Sequence, residues 1–116
     1  MKLSIITVTY NSDKTLVDTL NSVASQSYKN IEHIFVDGGS TDSTLSLLKE
    51  YPFKNKKIYY KKNYGIYKSI NYGISKAKGE FITVLNSDDF YQSNDQILKV
   101  IKDIKKIKSI KFFLVI

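Results

Sequence analysis

The fold is decided by residues 3–12, which have the sequence LSIITVTYNS. The run from Leu3 to Val8 is short and rich in β-branched side chains, which predicts a strand buried on both faces, as in a parallel sheet. Polar residues follow immediately, and the Ser12 side chain is expected to cap a helix. In that helix apolar side chains recur at spacings of three and four, at Leu16, Leu20 and Val23. The chain is therefore expected to begin with a strand and a helix.

The same alternation of strands and helices continues along the sequence. A second strand is predicted from Ile31 to Val36, and the turn from Gly38 to Thr41 leads into a second helix that holds Leu45, Leu47 and Leu48. The remaining predicted elements are a strand at 57–60, a helix at 64–78 closed by Gly79, a strand at 81–85, a helix with Ile97, Val100, Ile101 and Ile104 on its inner side, and a fifth strand beginning within 110–116. This order predicts one α/β domain over residues 1–116, with a Rossmann-like, mostly parallel sheet and helices on both faces.

Composition excludes several classes of protein. The chain has 116 residues, a net charge of +7 and no Cys, so disulfides and thiolate metal sites are excluded and a metal ion needs oxygen ligands or His33. All the basic residues are Lys, and the absence of Arg argues against sequence-specific nucleic-acid recognition. No apolar stretch approaches the roughly 20 residues that span a bilayer, and the pattern of the first residues leads us to expect no signal peptide. We expect a cytoplasmic protein, with the inner face of the membrane as the alternative location.

Polar side chains follow three of the predicted strands at the point where each strand ends. These segments are Thr9-Tyr10-Asn11, Asp37-Gly38-Gly39-Ser40 and Asn86-Ser87-Asp88-Asp89. Each of them alone is typical of a turn or a helix cap. Because ligands of open parallel sheets bind beyond the carboxyl ends of the strands, we expect the three segments to converge on one binding site.

Two adjacent carboxylates, Asp88 and Asp89, follow a predicted buried strand. Side by side they repel one another unless a cation lies between them, and hard oxygen ligands suit Mg²⁺ or Mn²⁺. An ion held by only one or two carboxylates keeps positions open for phosphate oxygens. The sequence therefore predicts a site for a divalent metal ion that binds a diphosphate ligand, and Asp89 is the first choice of metal ligand.

Four segments together resemble a known family. The motifs SIITVTYN, DGGSTDST, GIYKSINYGISKAKGE and LNSDD occur in this order and are similar to those of family 2 glycosyltransferases of the GT-A fold. The resemblance extends from Leu3 to about Tyr91. It implies an inverting enzyme of polysaccharide biosynthesis that transfers a sugar from a nucleotide-diphosphate sugar to a glycan or lipid-linked acceptor. A uridine diphosphate sugar is the expected donor.

The resemblance also implies roles for particular residues. The ends of the first and second strands hold the ribose and base of the donor in the family, so Asp37 is expected to accept from a pyrimidine N–H. The acidic motif after the fourth strand binds ribose and the metal ion that bridges the diphosphate. The resulting candidates for donor binding are Thr9, Tyr10, Asn11, Asp37, Asn86 and Asp88, and those for metal binding are Asp88 and Asp89.

The sequence departs from the family pattern in three respects. Many relatives have Asp at the position of Asn86. Relatives often carry acidic residues beside the expected sugar pocket, where this chain has Lys61, Lys62, Asn63 and Lys68. The general base of the family lies in the half that would follow this chain, so no catalytic residue is assigned. From this difference we expect a truncated transferase that binds donor weakly, transfers sugar poorly and self-associates through uncovered apolar surface.

Other functions fit the sequence less well. A nucleotidyltransferase needs a Gly-rich basic loop after the first strand, and residues 9–14 contain no Gly, whereas a signalling receiver domain needs acids at that strand end. The alternatives that stay open are a non-catalytic nucleotide-binding module and a peripheral module on anionic membrane. The second arises because the fourth helix carries Lys99, Lys102, Lys105 and Lys106 opposite its apolar side, although a solvated helix face is favoured. His33 and most of the nine Tyr are expected to be structural.

Overall fold

Strands and helices alternate along the chain in the order that the hydrophobic periodicity predicts. The computed structural model describes residues 1–106 and 113–115. Its strands are β1 (Leu3–Thr9), β2 (Ile31–Asp37), β3 (Lys56–Tyr60), β4 (Phe81–Val84) and β5 (Phe113–Val115). Its helices are α1 (Leu16–Ala24), α2 (Thr44–Glu50), α3 (Ile66–Lys76) and α4 (Gln96–Lys105). The predicted fifth strand is confirmed at 113–115, while 110–112 and 116 lie outside the described residues.

The strands form one sheet in the order β3-β2-β1-β4-β5, and every described pairing is parallel. β1 is the central strand, in which Leu3 pairs with Ile31 on one side and with Phe81 on the other. The chain moves outward from β1 through β2 to β3 and then returns through α3 to β4, on the opposite side of β1. That reversal opens a crevice at the carboxyl ends of β1 and β4, which is the usual ligand position in open α/β sheets.

Helices cover both faces of the sheet, as predicted. One face carries α1, α2 and α4, whose apolar side chains pack around Ile5 and Phe35. The opposite face carries α3, which packs against Ile6 and Ile34. Gly73 allows this close approach, because a Cβ at its position would lie 2.7 Å from Ile6 Cγ2. Burial of each large apolar side chain contributes about 1.5–3 kcal/mol, so these two layers hold the sheet in place.

The apolar side of α4 belongs to the core. Ile97, Ile101 and Ile104 are buried there, which confirms the predicted inner side of this helix. The lysines of the opposite side are exposed, and Lys99 pairs with Asp95 at 3.4 Å. The apolar stripe of α4 therefore faces the sheet rather than a lipid surface. Among the described residues, no helix combines the length and the apolar character that crossing a membrane requires.

The start of α1 differs from the sequence prediction. The residue before the first helical turn is Thr15, and its side chain makes no capping hydrogen bond. Ser12 contributes its carbonyl oxygen instead, which accepts the backbone N–H groups of Thr15 and Leu16. The prediction of Ser12 as a side-chain cap is therefore wrong, because its hydroxyl is used in contacts between loops.

The bounds and the closing residue of α3 also differ from the prediction. The helix begins at Ile66 and ends at Lys76, so it is shorter at both ends than the predicted 64–78. Gly79 does not close the helix. A Cβ at Gly79 would lie 2.6 Å from Ser4 Oγ and 2.8 Å from the Lys2 carbonyl oxygen, so the glycine permits close packing against the start of β1.

β2 buries an acidic side chain in an otherwise apolar setting. Glu32 is fully buried and accepts hydrogen bonds from Ser4 Oγ and from the Lys78 backbone N–H. The Lys57 ammonium lies 3.4 Å from its carboxylate. Burial acts to raise the pKa of Glu32, but these partners together hold that pKa below its ordinary value. The carboxylate therefore remains charged and joins β1, β2 and β3.

His33 lies on the other face of β2, inside the sheet. Its Nε2 is 2.8 Å from Thr7 Oγ1, its Nδ1 is 3.4 Å from Tyr51 Oη, and its ring centroid is 4.0 Å from that of Phe35. The ring is fully buried, and burial lowers its pKa to about 3. The neutral ring packs within the core, in agreement with the structural role expected from the sequence.

Lowering the pH from 6.5 to 5 should reduce the free energy of unfolding. The unfolded chain protonates His33 near pH 6.5, whereas the folded chain keeps it neutral until about pH 3, so unfolding takes up a proton across this window. The slope rises from about 0.7 kcal/mol per pH unit at pH 6.5 to about 1.4 kcal/mol per pH unit near pH 5, which gives an expected loss of about 1.6 kcal/mol in all. Urea denaturation at several pH values measures it. His33→Gln keeps a hydrogen-bonding side chain but does not titrate, and an unchanged slope in this variant would assign the effect to other groups.

Candidate active site

The ends of β1, β2 and β4 meet at the carboxyl edge of the sheet, where two adjoining clefts open. The first cleft, of about 440 Å³, is lined among others by Thr9, Tyr10, Gly38, Asn63, Gly65 and Ser69. The second cleft, of about 410 Å³, is lined among others by Asn11, Thr15, Ile70, Asn86 and Asp88. The residues shared by both are Val8, Ser12, Ile66 and Ser87. Because they share these walls, the two clefts form one site at the position predicted from the strand ends.

A larger hollow, of about 630 Å³, lies at the opposite edge of the sheet. It is lined by residues near the amino ends of the strands, including Lys2, Ile31 and Asn55. None of the polar strand-end segments reaches it, and it lies away from the reversal of strand order between β1 and β4. We therefore assign the candidate site to the smaller clefts at the carboxyl edge, which are lined by residues of all three polar strand-end segments.

Asp37 is fully buried at the end of β2 and accepts four hydrogen bonds. Its Oδ1 accepts from the hydroxyls of Thr9 at 2.7 Å and Ser40 at 2.6 Å. Its Oδ2 accepts from the backbone N–H groups of Gly39 at 3.0 Å and Ser40 at 2.9 Å. A carboxylate offers about four lone-pair directions, so these partners use the whole set. The Asp37 oxygens, which are expected to bind the base of the nucleotide, therefore accept hydrogen bonds from the protein itself and fix the turn after β2.

Asn11 ties the loop after β1 to the loop after β2. It has a φ of 47°, a left-handed conformation that Asn tolerates better than most residues. Its backbone N–H donates to Ser40 Oγ at 2.9 Å, and its Oδ1 accepts from the Thr41 N–H at 2.8 Å. Gly39, at a φ of +103°, leaves room for the Lys62 side chain, because a Cβ there would lie 3.1 Å from Lys62 Cγ. Asn11 is therefore a positioning residue that also borders the second cleft.

Hydroxyl groups at the start of α1 hold the loop after β4. Thr15 Oγ1 donates to the Ser87 carbonyl at 2.9 Å. Thr19 Oγ1 lies 2.6 Å from the carbonyl oxygen of Asp89 and 3.0 Å from that of Ser87. Ser12 Oγ lies 3.0 Å from Ser87 Oγ and joins this loop to the end of β1. The acidic loop is thus positioned through its backbone, and its carboxylates are not needed for that purpose.

The side chains of Asn86, Asp88 and Asp89 are exposed, and Asp88 borders the second cleft. A metal ion at this loop would have one or two carboxylate ligands from the chain, since the described residues contain no cluster of three His, Asp or Glu. Such a ligand set fits Mg²⁺ or Mn²⁺, which keep several positions for water and phosphate oxygens. The carboxylates of this loop therefore suit a metal ion that is also coordinated by the oxygens of a phosphate ligand.

The predicted residues come together at one edge, but in different environments. Thr9 is fully buried beside Asp37, whereas Tyr10 is 64% exposed and lies beside Gly38. Sequence reasoning missed several residues that line the clefts, namely Ser12, Thr15, Gly65, Ile66 and Ser69. One signal in the sequence was available, because Ser69 is a polar residue between the apolar positions of α3 and is buried.

Comparison with known proteins identifies the family. Residues 4–110 match the model of glycosyl transferase family 2, and the chain belongs to this family. Glycosyltransferase GlyG of Streptococcus pneumoniae serotype 4 is 35% identical over 95 residues, which are 79% of this chain and 32% of GlyG. The chain thus spans about a third of the length of that relative.

Solved structures show that the fold is of the GT-A type, as expected. Residues 1–349 of Staphylococcus aureus TarS in complex with UDP-GlcNAc match with a TM-score of 0.85 and 32% identity, covering 91% of this chain and 32% of that chain. The mannosyltransferase PcManGT from Pyrobaculum calidifontis, in complex with GDP-Man and Mn²⁺, matches with a TM-score of 0.81, covering 87% of this chain and 31% of that chain. Its identity is 22%, so this second match shows the fold alone.

Asp37→Ala should destabilise the fold, while Asp88→Ala should not. The first substitution leaves donors at a buried site without an acceptor, which costs about 1–3 kcal/mol per group, and we expect a total loss of about 2–4 kcal/mol because part of the turn can reach water. The second removes an exposed side chain and should change stability by less than about 0.5 kcal/mol. Urea denaturation of both variants measures the difference. Equal stability of the two would show that the hydrogen bonds of Asp37 do not hold the turn.

Proposed function

We propose that this chain holds the nucleotide-sugar donor of a metal-dependent glycosyltransferase, with the nucleoside diphosphate in the clefts at the carboxyl edge of the sheet. The observation that carries the proposal is the position of Asp88 and Asp89, two exposed carboxylates on a loop beside a cleft of about 410 Å³. Membership of family 2 supports it. The complex of TarS with UDP-GlcNAc supports a donor of this chemical class.

Asp88 and Asp89 would hold Mg²⁺ or Mn²⁺ together with the diphosphate oxygens. When bound, such an ion neutralises the charge that develops on the leaving diphosphate. The chain's own part is to keep Asp88 at the cleft and Asp89 next to it on the same loop, while both side chains stay in water. Thr15 and Thr19 do this through the backbone of the acidic loop, so no carboxylate oxygen is used for positioning.

Tyr10 and Asp37 would receive the base of the donor. The exposed Tyr10 ring beside Gly38 offers a face on which a base can stack. Asp37 would accept from a pyrimidine N–H, which favours a uridine nucleotide. Since its oxygens already accept four hydrogen bonds, the ligand must replace one partner. The Ser40 hydroxyl is the replaceable partner, because the Ser40 backbone N–H would continue to hold the carboxylate, although rotation of this side chain also gives up the hydrogen bond from the Asn11 backbone N–H.

The acceptor would be a glycan or a lipid-linked sugar in cytoplasmic polysaccharide synthesis. Its hydroxyl oxygen attacks the anomeric carbon from the side opposite the diphosphate, the bond from that carbon to the diphosphate oxygen breaks, and the configuration inverts. A general base takes the hydroxyl proton, and the nucleoside diphosphate leaves with the electron pair of the broken bond. The residues described above serve the donor side of this reaction, by orienting the nucleotide and binding its phosphates.

Asp88→Ala and Asp89→Ala should each weaken Mn²⁺-dependent binding of uridine diphosphate by at least about tenfold, or about 1.4 kcal/mol. Each removes one of the two carboxylates that would bind the ion. Calorimetric titration with and without Mn²⁺ measures the affinity, and thermal shift gives an independent readout, since a hundredfold excess of ligand over its dissociation constant stabilises by about 2.7 kcal/mol. Asp18→Ala removes an exposed carboxylate from α1 and is the matched control. Unchanged affinity in both loop variants would remove the acidic loop from the site.

Asp37→Asn should weaken the binding of uridine diphosphate by about 1.5–3 kcal/mol and leave the binding of inorganic diphosphate unaffected. The reason is that only the nucleotide offers a ring N–H to that carboxylate. Both ligands are titrated into the same variant preparation, so any loss of folded protein lowers both apparent affinities alike. An equal loss for the two ligands would assign Asp37 to the fold and not to the base.

A further inference from the structure

The positive charge of this chain is concentrated in one segment. Between Tyr51 and Gly79 there are eight Lys and no Asp or Glu, whereas the net charge of the whole chain is +7. The segment contributes more positive charge than the net total, so the rest of the chain is close to neutral. The lysine-rich segment between Tyr51 and Gly79 forms β3, α3 and the turn that joins them, next to the first cleft.

Six side chains of this segment form a continuous surface, which we call the lysine–tyrosine strip. Its members are Tyr59, Lys61, Tyr64, Lys68, Tyr72 and Lys76. The last four alternate at a spacing of four, which brings them to one side of α3 and the turn before it. Tyr59 and Lys61 approach from the end of β3, with 5.4 Å between the ring centroids of Tyr59 and Tyr72 and 4.6 Å from Lys61 Nζ to the Tyr72 centroid.

The ammonium groups of the strip rest on aromatic rings. Lys68 Nζ lies 4.3 Å from the Tyr64 centroid, and Lys76 Nζ lies 5.5 Å from the Tyr72 centroid. In the part of the chain that the structure describes, the ion pairs do not include any lysine of the strip. By contrast, Lys56 donates to three backbone carbonyls. A ring face attracts an ammonium without using up its N–H donors, so the strip presents grouped cations that can still bind an anion.

The strip begins at the candidate site. Tyr64 stands between Asn63 and Gly65, and both of these line the first cleft. From there α3 leads away from the carboxyl edge of the sheet, and Lys68 and Lys76 are separated by about 12 Å along its axis. An extended ligand lying on the strip would therefore have one end at the cleft.

We infer that the lysine–tyrosine strip binds an anionic glycan chain, whose sugars carry carboxylate or phosphodiester groups, and that such a chain is the acceptor. This inference rests on the proposed function of the cleft. Lysines at regular intervals meet the repeated negative charges, and the tyrosine rings between them suit the apolar faces of sugar rings. The end of the glycan at Tyr64 lies beside the cleft proposed for the donor, which is where an acceptor hydroxyl has to be.

Two other classes of anionic partner fit the strip less well. A lipid surface requires an apolar helix face that enters the bilayer, but the apolar side chains Ile70 and Ile74 of α3 pack on the sheet. Nucleic acid is bound chiefly through phosphate contacts, for which Arg and Lys both serve, and it gives no reason for the strip to begin at a sugar-donor cleft. The connection to the cleft therefore favours the glycan.

The test compares oligogalacturonate, in which each sugar carries a carboxylate, with its methyl ester, which has the same backbone without the charge. Calorimetric titration of the full chain should show binding of the acid form at least about tenfold tighter than binding of the ester. The double variant Lys68→Gln with Lys76→Gln should lose about tenfold in affinity for the acid form. Tyr72→Leu should lower the affinity for oligogalacturonate about threefold and leave the affinity for inorganic polyphosphate unchanged, because only the glycan has sugar rings that can pack on the tyrosine ring.

The matched control is Lys102→Gln with Lys105→Gln on α4, an identical change of charge on exposed helix positions across the sheet. This control should bind oligogalacturonate like the parent, and an equal loss in both double variants would overturn the inference in favour of net charge alone. Tighter binding of an RNA oligonucleotide or of anionic lipid vesicles, lost in the strip variant, would overturn it in favour of that partner.

Uridine diphosphate binding with Mn²⁺ is measured on the same samples. The strip variants should retain it, which separates the strip from the donor site. A parent chain that binds oligogalacturonate but no nucleotide would overturn the proposed function and leave the glycan surface. A parent that binds nucleotide but neither form of the glycan would overturn the inference and leave the proposed function.

Discussion

The Asp37 carboxylate at the carboxyl edge of the sheet is the interaction on which the site depends. Because β1 and β2 are parallel and in register, Thr9 lies beside Asp37, and their hydrogen bond of 2.7 Å fixes the end of one strand against the other. The two backbone amides on Oδ2 fold the chain back after β2. A carboxylate with no exposure to solvent needs hydrogen-bond donors in place of water, and here four donors fill that role. The wall of the first cleft is held in place because this buried carboxylate is fully hydrogen-bonded.

The loop after β4 is positioned through its backbone carbonyl groups, and not through a carboxylate. Its carbonyl groups accept from Thr15 and Thr19, so the loop is held against α1 without any contribution from the side chains of Asp88 and Asp89. Both carboxylates remain in water, where the repulsion between adjacent charges is only about 1 kcal/mol at 4 Å. Charges kept in this way stay available to a cation at little cost in stability. The arrangement separates the groups that hold the loop from the groups that can bind a ligand.

The sequence was sufficient to predict the architecture and the edge at which the site lies. Buried parallel strands tolerate few polar residues, so runs such as Leu3 to Val8 stand out, and the convergence of their ends follows from parallel pairing. The sequence did not reveal how the polar groups inside are satisfied. Glu32 takes a backbone N–H from Lys78, and Gly79 packs on Ser4. These partners are distant in the chain, and local spacing carries no information about them.

Local sequence also does not show which acidic residues of the site are buried and which are exposed. Asp37 and Asp88 have similar local signatures, since each is an Asp that follows an apolar strand next to small polar residues. Their environments differ because β2 remains paired as far as Asp37, whereas β4 ends at Val84 and leaves the acidic motif in a loop. Where pairing stops is the least predictable property of a strand from sequence. The point at which pairing stops therefore decides which carboxylate is enclosed and supports the fold, and which stays in water, where it can meet a metal ion.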